Sequence, residues 1–234
     1  MVSVHLGDYI RSATQGLLAT TPYGDLAGYE LADFLTQWPR LHEAALRQLG
    51  DARIHPTARI HPTAIIGDDV IIGPDVQVHE FTTVRQRAVL AAGASVGFNC
   101  EVTHAYVGER AVLGHRIGIN RTLVGADAHL SSSVTVAAIN LCDDMTKPDR
   151  EVLMRVPDGL YRCRTPRFGG LIGDGTQTGH NIALGPGIAI GRHSRLDSGI
   201  TLAARSTPAS SVLSAPHVAE TRIRPRRSRE TGAW

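Results

Sequence analysis

From residue 54 onward an aliphatic side chain returns at every sixth position: Ile54, Ile60, Ile66, Ile72, Val78, Val84, Leu90, Val96 and Val102. The series slips by one to Val107, Leu113 and Ile119, then slips again to Val124, Leu130 and Val136. After an interruption it resumes as Ile172, Thr178, Leu184, Ile190, Leu196 and Leu202. Glycine often follows the repeated residue, as at Gly67, Gly73, Gly97, Gly114 and Gly173, and a small residue such as Ala58, Ala88 or Ala111 often sits four positions after it. An amphipathic helix repeats every 3.6 residues and a half-buried strand every two, so a sustained period of six fits neither. It fits an all-β parallel β-helix, in which three short flat strands make one triangular coil of about eighteen residues. Coils stacked about 4.8 Å apart would join the aliphatic ladders into one narrow core. The series is long enough for about six coils. A β-sandwich with Gly-rich turns is the alternative, but its strands would alternate and its spacings would vary.

Three segments fall outside the repeat, which occupies 51–202. Residues 1–50 read as helical, with apolar positions spaced through LADFLTQWPRLHEAALRQLG and a stop at Gly50. They are expected to cap the open end of the stack, where strand edges would otherwise be exposed. Residues 139–170 break the period with polar sequence and three prolines. They are expected to leave the coil as a long protruding loop, and long loops on rigid scaffolds commonly serve a site. Residues 203–234 lose the period and end in the basic RIRPRRSRETGAW, read as a solvated tail.

Composition narrows the function classes. Of 234 residues, 24 are basic and 22 acidic, for a formal charge of +2, and the arginines are spread along the coils without interleaved aromatics. Nucleic-acid binding is therefore not expected. Lys147 is the only lysine, so lysine-based chemistry has one candidate. No run of 18 apolar residues suggests a membrane span. The opening MVSVHLGDYIRSATQGLL does not read as a secretory leader, which makes the cytoplasm the expected address. Cys100, Cys142 and Cys163 are odd in number and widely spaced, which fits neither a disulfide framework nor a CxxC zinc site.

The period-six pattern resembles the left-handed β-helix (hexapeptide-repeat) acyltransferases. More specifically, VRQRAVLAAGASVGFNCEVTHAYVGERAVLGHRIGINRTLVGADAHLSSS and the later TPRFGGLIGDGTQTGHNIALGPGIAIG resemble the acetyltransferase domain of the bifunctional UDP-N-acetylglucosamine pyrophosphorylase/glucosamine-1-phosphate N-acetyltransferases, archaeal branch. The likeness covers 54–202. No Gly-rich phosphate loop precedes it, so no nucleotidyltransferase domain and no pyrophosphorylase activity are expected. The resemblance implies left-handed coils, a homotrimer with sites between subunits, and an acyl-CoA such as acetyl-CoA as co-substrate, with no metal.

Residue by residue, the resemblance places the catalytic base at His115 in Gly114-His115. A neutral imidazole can take the proton of an attacking amine. Glu101 occupies the position of a carboxylate that steadies this ring, and the backbone N–H of Ser132 that of an oxyanion donor. On the acceptor side, Arg85 matches the family's phosphate-binding arginine and Asn99 falls near the base. Thr103 replaces a lysine, Gly118 a tyrosine and His129 an asparagine, while Asn140 stands two residues from another expected asparagine. These losses point to an acceptor other than glucosamine 1-phosphate. Arg85, Arg116, Arg121 and Lys147 leave room for an acidic acceptor, or are solvated surface. His180 and Ser198, one coil apart, fall at donor-groove positions, together with Ser132, or serve coil packing. Cys100 reads as a small core residue.

The reading is thus a CoA-dependent N-acyltransferase acting on an amino sugar or related small amine. A second takes the acyl group from an acyl carrier protein. A third is a γ-carbonic-anhydrase-like metalloprotein drawing on His104, His115, His129 and His180, although that family's pair of histidines five apart does not occur here. A fourth is an inert binding module.

Overall fold

The computed structural model of the chain describes residues 2–14 and 16–214. The repeat folds as a three-sided prism of stacked coils, the parallel β-helix expected. Face one carries eight strands, beginning Arg59–Ile60, Gln77–Val78, Ser95–Val96 and Val112–Leu113. Face two carries seven, including Thr83–Arg85, Glu101–Thr103, Gly118–Asn120 and Val134–Val136, and face three carries six, from Ile71–Ile72 to Ile188–Ile190. All pairings within these faces are parallel, and each joins a residue to its counterpart in the next coil: Val78 to Val96, Val96 to Leu113, Leu113 to Leu130. Two-residue strands joined by corner residues at positive φ are consistent with the left-handed form. The period-six residues point inward and make one continuous buried core.

Both slips in the period fall at the corner between faces two and three. That corner is Arg85-Gln86-Arg87-Ala88 in one coil but only Thr103-His104-Ala105 and Asn120-Arg121-Thr122 in the next two. A residue is lost there without disturbing the inward ladders, which pair Leu90 with Val107 and Val107 with Val124. Where glycine enters the corner between faces one and two, the next coil approaches too closely for a side chain. A Cβ on Gly97 would lie 1.8 Å from the carbonyl oxygen of Gly114.

The N-terminal segment contains a helix, α1 (Leu31–Leu49), preceded by 3-10 turns. Glu30 caps it by accepting from the Asp33 N–H, and Gly50 ends it at φ 51°. It covers a side of the prism rather than its end. Face three is apolar outside as well as inside: Ile71, Val89, Tyr106, Leu123, Leu171 and Ala189 point outward and are buried under Phe34, Trp38, Leu26 and their neighbours in a second core. Fully burying an aliphatic side chain contributes about 1.5–3 kcal/mol, so Ile71, Val89, Leu123 and Leu171, with Tyr106 and Ala189 beside them, give this docking a large driving force. A polar clasp fixes it at the corner between faces three and one. Buried Glu109 accepts from the Thr14 N–H at 2.7 Å, and Asp174 accepts from Arg11 N–H and Ala126 N–H. Arg11 and Arg110 both pair with Asp127 at 2.8 Å.

The excursion at 139–170 is only partly a loop. Leu153–Val156 and Gly159–Arg162 form an antiparallel hairpin, and Val152, Met154, Tyr161 and Cys163 join the second core. Tyr161 hydrogen-bonds Glu30 and accepts from the Ala32 N–H, holding the start of α1. The coil also continues past residue 202: Val212–Leu213 pairs with Arg195–Leu196. The basic end of the expected tail, 222–234, lies outside the described residues.

Candidate active site

The corner between faces one and two stacks the residues on which the acyl-transfer reading depends. A backbone ladder climbs it. The Asn99 N–H donates to Glu80 O, Arg116 to Phe98 O, Ser133 to His115 O, Asn181 to Ser132 O and Gly199 to His180 O, all at 2.8–3.0 Å. Each donor sits in the left-handed region, with φ between 53° and 77°. That conformation turns the chain in one residue and throws the preceding side chain outward. Glu80, Phe98, His115, Ser132, His180 and Ser198 therefore form one outward column, spaced about 4.8 Å per coil.

Within this column the His115 ring is exposed and makes no hydrogen bond among the described residues. One coil above, Ser131 N–H donates to Thr178 Oγ1 and Ser133 N–H to His115 O, while the intervening Ser132 N–H has no partner among the described residues. The turn leaves the N–H groups of Phe98 and His115 free in the same way among the described residues. Higher still, the Ser198 hydroxyl accepts from the His180 N–H at 3.1 Å and lies 2.9 Å from His180 Nδ1. Its own proton then points at Nδ1, which leaves the ring proton on Nε2.

Beside the column, face two carries a concavity of about 640 Å³. Arg85, Asn99, Glu101, Arg116 and Gly118 line it, so five of the sequence-derived site residues converge on one hollow. Glu101 does not hold the imidazole as expected. It projects from the middle of face two in the coil below His115, and its carboxylate accepts from Arg85 Nη2 at 2.6 Å and from Thr103 Oγ1 at 3.4 Å. This pair largely cancels its own charge, whereas Arg116, at φ 53°, has no carboxylate within 4 Å among the described residues. Thr103, Glu101 and Gly118 also border a smaller hollow of about 300 Å³ running toward Asn120.

Other expected residues lie elsewhere. His129 is exposed on face one, paired in register with Val112 and Gln177. Asn140 lies in the excursion, lining a separate cavity of about 700 Å³ with Arg150, Glu151 and Arg162. His104 is buried at the corner between faces two and three, edge-on to Trp38 with ring centroids 4.7 Å apart. Burial, then the nearby Arg121 and Arg87, push its pKa down to about 3. The four histidines of the metalloprotein reading thus occupy three separate parts of the prism. Cys100 is buried, its sulfur accepting from the Ile117 N–H at 3.4 Å, and burial pushes its thiol pKa up.

The sequence reading overlooked an apolar patch at the foot of the column. Ile65 is 64% exposed, Phe81 61% and Phe98 39%, and the two phenyl rings meet edge-on at 5.8 Å. Ile65 and Phe81 wall the 640 Å³ concavity. The signal was present: two of only four phenylalanines stand at corner positions that other coils fill with polar residues.

Comparison with known proteins adds the following. The family model described as the GMPPB C-terminal domain matches residues 48–146. No curated protein matches the chain in sequence. Among solved structures, the acetyltransferase domain of PglB from Neisseria gonorrhoeae, in complex with acetyl coenzyme A, is similar at 16% identity. That match covers 70% of this chain and 61% of that one, with a TM-score of 0.33. A point mutant of perosamine N-acetyltransferase from Caulobacter crescentus, in complex with CoA and GDP-perosamine, matches at 14% identity over 70% and 61%, with a TM-score of 0.34. AntD, an N-acyltransferase from Bacillus cereus, matches at 12% identity over 77% and 89%, with a TM-score of 0.42. The chain thus spans about three fifths of the length of the first two.

Proposed function

We propose that this protein is an acyl-CoA-dependent N-acyltransferase, with His115 as general base and the amino group of an amino sugar or related small amine as acceptor. The observation that carries the proposal is the corner column. It sets an accessible imidazole next to a hollow that Arg85, Asn99, Glu101 and Arg116 line and one coil below a backbone N–H unpaired among the described residues. In this reading the amine nitrogen rests in the hollow beside Arg116 and Asn99. It attacks the thioester carbonyl as His115 accepts its proton, and the Ser132 N–H receives the developing oxyanion. Collapse breaks the C–S bond, and the proton held by His115 passes to the departing thiolate. Glu101 acts through Arg85 and the acceptor rather than through the imidazole. His180 and Ser198, two and three coils above the base, offer the donor's pantetheine arm a polar edge. An acyl carrier protein is the alternative donor.

The exposed Ile65, Phe81 and Phe98 patch supports a homotrimer whose neighbouring subunit closes the hollow, since face three is already covered by the chain's own N-terminal segment. Sedimentation tests that element directly, with a monomer at micromolar concentration counting against it. The functional test is mass spectrometry of amines incubated with acetyl-CoA or acylated carrier protein. N-acylated product is expected, with His115→Ala slowing turnover by about 10²–10⁴-fold. Unchanged turnover in that variant refutes the role of His115. Absence of acylated product across the amine panel favours the inert binding module, a reading to which the missing Glu101–His115 contact lends some weight.

A further inference from the structure

The corner between faces two and three carries a set of arginines that the acyl-transfer reading does not use. Five arginines of the described chain sit at positive φ: Arg87, Arg110, Arg116, Arg121 and Arg164. The coil corners themselves set this conformation at most of these positions, so what distinguishes the arginines is whether the guanidinium has a partner. Arg110 and Arg164 have one in their ion pairs with Asp127 and Asp33. Arg87 and Arg121 have none among the described residues: neither guanidinium makes a hydrogen bond or meets a carboxylate within 4 Å.

The backbone brings these two together. The His104 N–H donates to Arg85 O, and the Arg121 N–H to Thr103 O, so Arg121 stacks over His104, which in turn stacks over the turn containing Arg87. A third cation arrives from the excursion. The Gly169 N–H donates to Arg121 O, which seats the 167–169 segment on the same corner. Among the described residues the Arg167 guanidinium hydrogen-bonds only a carbonyl, Thr146 O at 3.3 Å. Arg87 and Arg121 are half-buried and Arg167 is exposed. Burial, followed by the nearby charges of Arg167 and Arg87, lowers the pKa of Arg121.

None of the three guanidiniums has a carboxylate within 4 Å among the described residues, and planar N–H forks match the geometry of phosphoryl oxygens. We propose that Arg87, Arg121 and Arg167 form a binding site for a phosphoryl group at the corner between faces two and three. Asn120, immediately before Arg121, opens onto the 300 Å³ hollow that adjoins the acceptor concavity. A phosphorylated acceptor lying across face two could therefore reach both ends. The site itself does not depend on acyl transfer, because phosphate binding is read without turnover.

Isothermal titration of the full chain with inorganic phosphate and pyrophosphate, in low-salt buffer free of other phosphates, tests the proposal. Saturable binding is expected, tightest for pyrophosphate. It should weaken at least tenfold in the Arg87→Gln, Arg121→Gln double variant and stay within twofold in Arg195→Gln, an exposed arginine on face one. Arg167→Gln, at an exposed position, serves where the double variant fails to fold, and is expected to weaken binding about threefold or more. Absence of saturable heat overturns the proposal, as does equal weakening in Arg195→Gln or unaltered binding in Arg167→Gln and the double variant. Repeating the titration in saturating CoA identifies the source of the phosphoryl group. Displacement assigns it to the donor's phosphates, and persistence to an acceptor or to free phosphate.

Discussion

His104 offers a direct test of how α1 is locked to the prism. Its ring is 3% exposed, stands edge-on to Trp38, and has a pKa near 3 against an ordinary value of 6.5. A proton that binds the unfolded chain at 6.5 but the folded chain only near 3 stabilises the unfolded state at every pH between these values. Stability is therefore lost as pH falls below about 6.5, and the loss ends near the folded value. Between pH 6 and pH 4 one such histidine costs about 2–3 kcal/mol, a large share of the usual margin of about 5–15 kcal/mol. His42 acts in the same direction. It is buried, its pKa is lowered first by burial, and it bridges Tyr23 OH at 2.7 Å and Asp69 O at 2.7 Å. A carbonyl can only accept, so Nε2 carries the proton and Nδ1 must accept from the tyrosine, an arrangement available only to the neutral ring.

Urea unfolding at pH 6, 5 and 4 measures the loss. His104→Asn keeps a residue that tolerates the positive φ of 47° at this corner. It should be less stable at pH 6, yet lose about 2–3 kcal/mol less than wild type on going to pH 4. Equal pH dependence in the two proteins would refute the claim that this imidazole is kept neutral by burial.

Leu113→Ala, one residue before the Gly114-His115 pair, opens a cavity in the fully buried Val96–Leu113–Leu130 ladder and should cost about 2–5 kcal/mol in chemical unfolding. A cost below about 1 kcal/mol would mean that the coil relaxes around the gap. Gly97→Ala forces a methyl to within 1.8 Å of Gly114 O and should abolish soluble folding or lower the melting temperature by more than about 10 °C, as read by circular dichroism. Tyr161→Phe removes the hydroxyl that accepts from the Ala32 N–H, at a cost of about 1–2 kcal/mol. Faster amide exchange confined to the start of α1 is the expected signature, and unchanged protection there would count against the hold of Tyr161 on the helix.

The prism was legible because its core obeys one rule: every sixth side chain must point inward, so a single period carries the whole architecture. Even the two slips had a local cause, a corner shortened by one residue at His104 and again at Arg121. The covering of face three was not read, although its signal lay in the same rows. Ile71, Val89, Tyr106, Leu123 and Leu171 are apolar where faces one and two place Gln77, Ser95, Thr83 or Glu101. A period of six detects what points in, and only the repeat of outward positions from coil to coil shows which side is dry. In the candidate site, the corner residues His115, Ser132, His180 and Ser198 fell into one column because sequence spacing fixes corner register. The partner of Glu101 did not follow from spacing. A side chain on the face of a strand answers to its cross-coil neighbour, here Arg85, and not to a residue at the corner of the next coil.

The hairpin and α1, more than a hundred residues apart in the chain, form a single accessory body. Tyr161 grips the start of the helix, Arg164 reaches Asp33, and both elements cover the same dry wall. They act as one structural unit: loss of either alone would leave an apolar flank open to aggregation. Relatives of this chain should therefore carry both interruptions of the repeat or neither.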